Sequence, residues 1–153
     1  MTRLLIGIGA LVFSTWVGAV DLPEVEVFKS PYCGCCSAWA EHMRSNGFTI
    51  RETNVNDVPA TRNRLGMPER YGSCHTDKVG DYVIEGHVPA ADIKRLLKER
   101  PKAVGLAAPG MPQGSPGMES QNPVAYDVIL VKSDGAAKVY AHHEPVKNEK
   151  PGK

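Results

Sequence analysis

The chain has 153 residues, enough for one domain with a sizeable core. Its content, 42% apolar and 23% charged, is that of an ordinary globular protein, and 15 Gly with 12 Pro imply substantial loops. A formal net charge of +1 recommends neither nucleic acid nor an anionic membrane as partner, and four cysteines are few for a disulfide scaffold.

Arg3 forms a short positive region ahead of the apolar run 4–13, and Val17-Gly18-Ala19 supplies small residues that a signal peptidase accepts. Residues 1–19 are expected to be a signal peptide, which leaves a periplasmic protein without membrane attachment. An uncleaved anchor is the alternative, and the apolar run is at the short end for a membrane span. Export matters for the cysteines, because thiols in an oxidising compartment need a reason to stay reduced.

Residues 25–28 alternate Val-Glu-Val-Phe and predict a strand. After a loop broken by Ser30-Pro31 comes a helix with Cys36, Trp39, Ala40 and Met43 on one face, His42 on the exposed side and Gly47 past the end. Residues 48–52 alternate again. Asp57 and Pro59 open a short second helix that Gly66 closes. Residues 76–79 and 82–85 flank Gly80-Asp81 as a hairpin. Pro89 starts a third helix with Ala90, Ile93, Leu96 and Leu97 as its apolar face. Residues 104–123 carry no periodicity, a length of loop that is usually functional or disordered. Residues 126–131 and 136–140 flank Ser133-Asp134-Gly135 as a last hairpin, and 141–153 reads as a disordered polar tail. This order predicts a single α/β domain (20–140) of thioredoxin-like layout, with the last hairpin as a C-terminal addition.

Cys33-Gly34-Cys35-Cys36 puts three thiols in four residues. Cys33 and Cys36 have the C-x-x-C spacing, which at a helix N-terminus suits redox chemistry because free N–H groups and the helix dipole stabilise a thiolate. Metal ligation needs thiolates too. A dithiol enzyme needs one attacking and one resolving cysteine, and Cys35 is surplus to that. Three readings stay open: a soft-metal site, a thiol-disulfide oxidoreductase using Cys33 and Cys36, and a structural disulfide, either Cys33–Cys36 or one of these with Cys74.

Cys74 lies in Ser73-Cys74-His75-Thr76, before a predicted strand, and is either a fourth thiol of the site or an inert buried cysteine. Pro-Gly-Met occurs twice, ending at Met111 and Met118, seven residues apart; thioethers select Cu(I), or else fill gaps under a loop. His75 adjoins Cys74, and His87 precedes a helix; each is a candidate nitrogen ligand or a hydrogen-bonding residue. Met43 shares a face with Trp39 and reads as core. His142-His143 reads as solvated tail.

Four stretches together resemble the CopG-type copper-resistance family. They are Ser30-Pro31-Tyr32-Cys33-Gly34-Cys35-Cys36, then Ser73-Cys74-His75-Thr76, then the run 82–93 from Tyr82 to Ile93, and then Gly105-Leu106-Ala107 through Gly110-Met111-Pro112 to Gly114-Ser115-Pro116-Gly117-Met118. The resemblance implies an exported thioredoxin-like domain and a cysteine-bridged site for several Cu(I) ions. Cys33, Cys35, Cys36 and Cys74 would be its thiolate ligands, with Met111, Met118, His75 and His87 in the family's other motifs. It further implies a role in copper resistance, interconversion of Cu(I) and Cu(II), and other periplasmic copper-handling proteins as partners. True thioredoxins carry a cis-proline before the third strand, where this chain has Cys74, which weighs against plain disulfide exchange. Four thiolates also satisfy tetrahedral zinc; three thiols on one loop and two Pro-Gly-Met units favour copper.

Overall fold

Alternating valines start the fold. In the computed structural model, which describes residues 22–146, β1 (Val25–Lys29) buries Val25 and Val27 on one face, as the two-residue strand period requires. The expected signal peptide and residues 147–153 of the tail lie outside the described residues. α1 (Gly34–Ser45) buries Cys36, Trp39, Ala40 and Met43 at the helical spacing expected of them. β2 (Ile50–Asn54) starts two residues later than the alternation suggests. Phe48 is buried, but its backbone N–H donates to the Met43 carbonyl at 3.2 Å and so closes α1 instead of joining the sheet.

α2 (Val58–Leu65) is capped by Asp57, whose carboxylate accepts from the Ala60 N–H at 2.8 Å. A 3-10 turn, Glu69–Tyr71, leads to the hairpin β3 (His75–Val79) and β4 (Tyr82–Glu85), which turns at Gly80-Asp81. α3 (Ala90–Glu99) buries Ala90, Ile93 and Leu96. β5 (Gly105–Ala107), β6 (Tyr126–Val131) and β7 (Ala137–His143) complete the elements of the described residues.

The seven strands among the described residues form one sheet in the order β2-β1-β3-β4-β5-β6-β7. The pairs β1–β2 and β4–β5 are parallel and the others antiparallel. The result is a mixed α/β fold. Trp39 and Met43 of α1 and Ile93 and Leu96 of α3 pack on one face with Val25, Val27, Val79, Ile84 and Leu106. Leu65 of α2 and Met67 cover the other face with Val83, Ala107 and Val131.

β5 falls inside the stretch expected to have no structure. All three of its residues are buried, and a strand buried on both faces shows no alternation to read. It stitches the last hairpin onto the sheet, lying parallel to β4 and antiparallel to β6. Gly105 lies so close to β4 that a Cβ there would collide with the Val83 carbonyl. β7 runs three residues past the expected domain end at Tyr140. His143 stacks on Tyr126 and meets the Asp92 carboxylate at 2.7 Å, and His142 meets Asp127 at 2.6 Å.

Leu106 is fully buried at the centre of this junction. Leu106→Ala is expected to destabilise the protein by about 2–5 kcal/mol, read as a shift of the urea unfolding midpoint at unchanged slope.

Candidate metal centre

The antiparallel register of β1 and β3 sets Lys29 opposite His75. The loop leaving β1 and the loop reaching β3 therefore meet at one end of the sheet. Cys33 is the N-cap residue of α1, and Cys35 and Cys36 lie in its first turn. Cys74 immediately precedes β3. The Sγ atoms of Cys33, Cys35, Cys36 and Cys74 all lie within 4.8 Å of one another. Cys36 is fully buried and the other three are partly buried.

Cys33 and Cys36 are joined in a disulfide, and Cys35 and Cys74 are free thiols. The structure is thus the oxidised form of the loop, with the Cys35 sulfur 3.5 Å from Cys33. Burial first, then the neighbouring Cys35 thiol, push the Cys74 thiol up to about 12. That thiol keeps its proton near neutral pH until a cation displaces it.

The two candidate histidines converge on Cys74. His87 Nε2 lies 3.1 Å from its sulfur and His75 Nδ1 lies 3.4 Å from it. Both rings are buried, and burial lowers the pKa of each, so both are neutral and able to donate a lone pair. Trp39 packs against His75 with ring centroids 4.7 Å apart and donates its indole N–H to the Val88 carbonyl at 2.9 Å. Behind His75, Nε2 approaches Asp77 Oδ2 at 3.4 Å, outside hydrogen-bond geometry.

The methionines differ from each other. The Gly110 N–H donates to the Gly72 carbonyl at 3.0 Å, and its carbonyl accepts from the Ser73 hydroxyl. The first Pro-Gly-Met unit is thus held beside the Cys74 loop, but the Met111 side chain is 50% exposed. In the second unit the Pro116 carbonyl accepts from His87 Nδ1–H at 2.8 Å. Gly117 has φ 81°, and a Cβ there would sit 2.6 Å from the Trp39 nitrogen and 2.9 Å from the Cys35 carbonyl oxygen. This unit is pressed onto the start of α1, and Met118, next in the chain, is partly buried.

The sequence reading passed over the polar clamp that positions Cys74. Glu85 is fully buried and accepts from Arg62 Nε at 2.9 Å, the Ser73 N–H at 2.6 Å and the Thr76 hydroxyl at 2.6 Å. Arg62 also donates to the Ser73 carbonyl at 2.7 Å and to Glu69 at 2.9 Å. Asp77 was legible as a carboxylate two residues beyond His75, on the strand face that also buries Val79. His42 is not on an open face as expected: its Nε2 accepts from the Ala90 N–H at 3.2 Å, at the start of α3.

Together these features define a mixed α/β protein with a partly buried, sulfur-rich centre flanked by two neutral imidazoles. Such soft and borderline donors suit monovalent copper or zinc far better than magnesium or calcium. Comparison with known proteins matches residues 71–118 to a family described as "Protein of unknown function, DUF411". Two solved structures described as "Copper resistance protein copG", forms 1 and 2, are each 44% identical, covering 80% of this chain and 98% of theirs. Their TM-scores are 0.75 and 0.76. The chain belongs to the CopG copper-resistance protein family. A comparison with curated protein sequences finds no match.

Glu85→Ala would leave the buried Arg62 guanidinium with only Glu69 and the Ser73 carbonyl. It is expected to cost about 3 kcal/mol, the lower end for a broken buried pair, in chemical denaturation. It should also raise the rate at which a thiol reagent labels Cys74, because the loop loses its anchor.

Proposed function

We propose that this chain is an exported, periplasmic Cu(I)-binding protein of copper resistance. Cys33, Cys35, Cys36 and Cys74, as thiolates, bridge several Cu(I) ions, with Met111, Met118, His75 and His87 supplying outer ligands. The observation that carries the reading is the convergence of four sulfur atoms within 4.8 Å, from loops some forty residues apart. Thiolate and thioether sulfur favour Cu(I) over harder ions, and membership of the copper-resistance family supports the same cargo.

The disulfide makes binding redox-dependent. Two electrons must open Cys33–Cys36 before all four sulfurs can ligate, each sulfur then taking a metal ion or a proton. Oxidation of the emptied dithiol closes the bond again. This coupling gives a route for interconverting Cu(I) and Cu(II): the dithiol closes to the disulfide as two Cu(II) become two Cu(I) with release of two protons, and in reverse the disulfide takes one electron from each of two Cu(I). The other periplasmic copper-handling proteins are the natural partners in such a cycle.

A second reading is a thiol-disulfide oxidoreductase acting through Cys33 and Cys36. It is favoured by the bond between these cysteines at the N-terminus of α1, where the helix dipole stabilises a leaving thiolate.

Anaerobic Cu(I) titration followed by elemental analysis, with zinc as competitor, tests the copper reading. The reduced chain should bind several ions and resist zinc, and the disulfide form should bind fewer. Cys35→Ser is expected to lower bound copper by roughly half or more, since it removes a bridging ligand. Unchanged copper content in a folded Cys35→Ser variant counts decisively against the proposal. Disulfide exchange that survives Cys35→Ser and disappears in Cys33→Ser would establish the second reading instead.

A further inference from the structure

Cys74 belongs to two donor sets at once. One is the group of four sulfurs. The other is Cys74 Sγ with His75 Nδ1 and His87 Nε2, again all within 4.8 Å of one another, and it contains neither cysteine of the disulfide. Bonds of about 2.0–2.3 Å to one ion set its ligands roughly 3–4 Å apart, and the sulfur-nitrogen separations here are 3.1 and 3.4 Å.

The group behind each ring bears on which nitrogen carries the lone pair. His87 Nδ1–H donates to the Pro116 carbonyl, which leaves the lone pair on Nε2, the nitrogen facing Cys74. Among the described residues, His75 Nε2 has no hydrogen-bond partner, and neither has either carboxyl oxygen of the fully buried Asp77 3.4 Å away. A proton on His75 Nε2, the nitrogen turned toward Asp77, leaves the lone pair on Nδ1, which faces Cys74. Two ring nitrogens thus face one sulfur whose single S–H can pair with only one of them. A cation held by the Cys74 thiolate and by both ring nitrogens would satisfy all three at once.

The geometry points to a mononuclear metal site formed by Cys74, His75 and His87 that operates while Cys33 and Cys36 are joined in their disulfide. One thiolate and two imidazoles suit a single copper or another borderline-soft ion such as zinc or cobalt. On binding, Cys74 releases its proton to solvent, the sulfur and both nitrogens donate electron pairs to the ion, and no electron is transferred. The inference rests on the copper reading above only for the identity of the natural ion. It extends that reading to the oxidised chain, which would keep one ion where the reduced chain gathers several.

Co(II) is the probe, because it does not oxidise thiols and its thiolate complexes absorb strongly. The full chain, its disulfide verified by thiol counting, is titrated with Co(II) under argon. The expected result is one Co(II) per chain, with a thiolate charge-transfer band and the visible bands of a four-coordinate ion. Cys35→Ser should retain this spectrum, Cys74→Ser should abolish the charge-transfer band, and His87→Ala should weaken binding at least about tenfold. Circular dichroism confirms the fold of each variant, and the isosteric Cys74→Ser covers any failure of His87→Ala to fold. A disulfide form that takes up no Co(II) overturns the inference. So does a charge-transfer band that Cys35→Ser removes and His87→Ala leaves intact, since that is a Cys35–Cys74 pair. A reduced chain that fails to bind Cu(I), beside an oxidised chain that binds Co(II), removes the polynuclear reading and leaves this one standing; the reverse pattern does the opposite.

Discussion

The hydrogen-bonded register between β1 and β3 is the constraint on which the metal centre depends. Pairing Lys29 with His75 fixes where one strand ends and the other begins. The cysteine loop follows the first and Cys74 precedes the second, so the register brings together thiols that lie some forty residues apart in the chain. Because strand register is quantised, a slip of one residue would carry His75 to the opposite face of the sheet and remove it from Trp39 and His87. Burial of Val25, Val27 and Val79 on one side of these strands makes such a slip expensive.

The two faces of the sheet divide the work. On the α2 side, Glu85 and Arg62 hold the Ser73 backbone from both its N–H and its carbonyl, so the residue before Cys74 is pinned. A buried ion pair contributes little net stability, and its value here is in specifying one loop conformation. On the α1 side the same strand presents His75 and Asp77 to a wall of Trp39 and core aliphatics. Burial keeps the imidazoles neutral and the Cys74 thiol protonated, so charge enters the pocket only together with a cation. The loop of residues 108–118 closes the arrangement through its backbone, by the Pro116 carbonyl on His87 and Gly117 against α1. This gives Pro-Gly-Met a structural purpose independent of the sulfur atoms.

Much of the secondary structure was legible because its causes are local. The buried face of α1 follows from side-chain spacing, Asp57 and Gly66 mark the ends of α2, and Gly80-Asp81 marks a hairpin. The misreadings share a different origin. β5 shows no alternation because both its faces are covered. Phe48 reads as strand because it is apolar and alternates with polar neighbours, yet its N–H is committed to the end of α1. β7 extends through His142 and His143 because Asp127, Asp92 and Tyr126 receive them, and these partners come from other elements.

The amino-acid order alone determined the element sequence apart from β5, the cluster of three neighbouring thiols and the identities of Cys74, His75 and His87 as candidate ligands, because these rest on spacing, turn chemistry and donor type. Tertiary structure decided which donors meet. It joined Cys33 to Cys36, aimed two imidazole nitrogens at Cys74, separated a half-exposed Met111 from a partly buried Met118, and placed Asp77 behind His75. The reason is physical: ligand convergence and burial depend on the packing of distant segments, and spacing along the chain carries no record of which strand pairs with which.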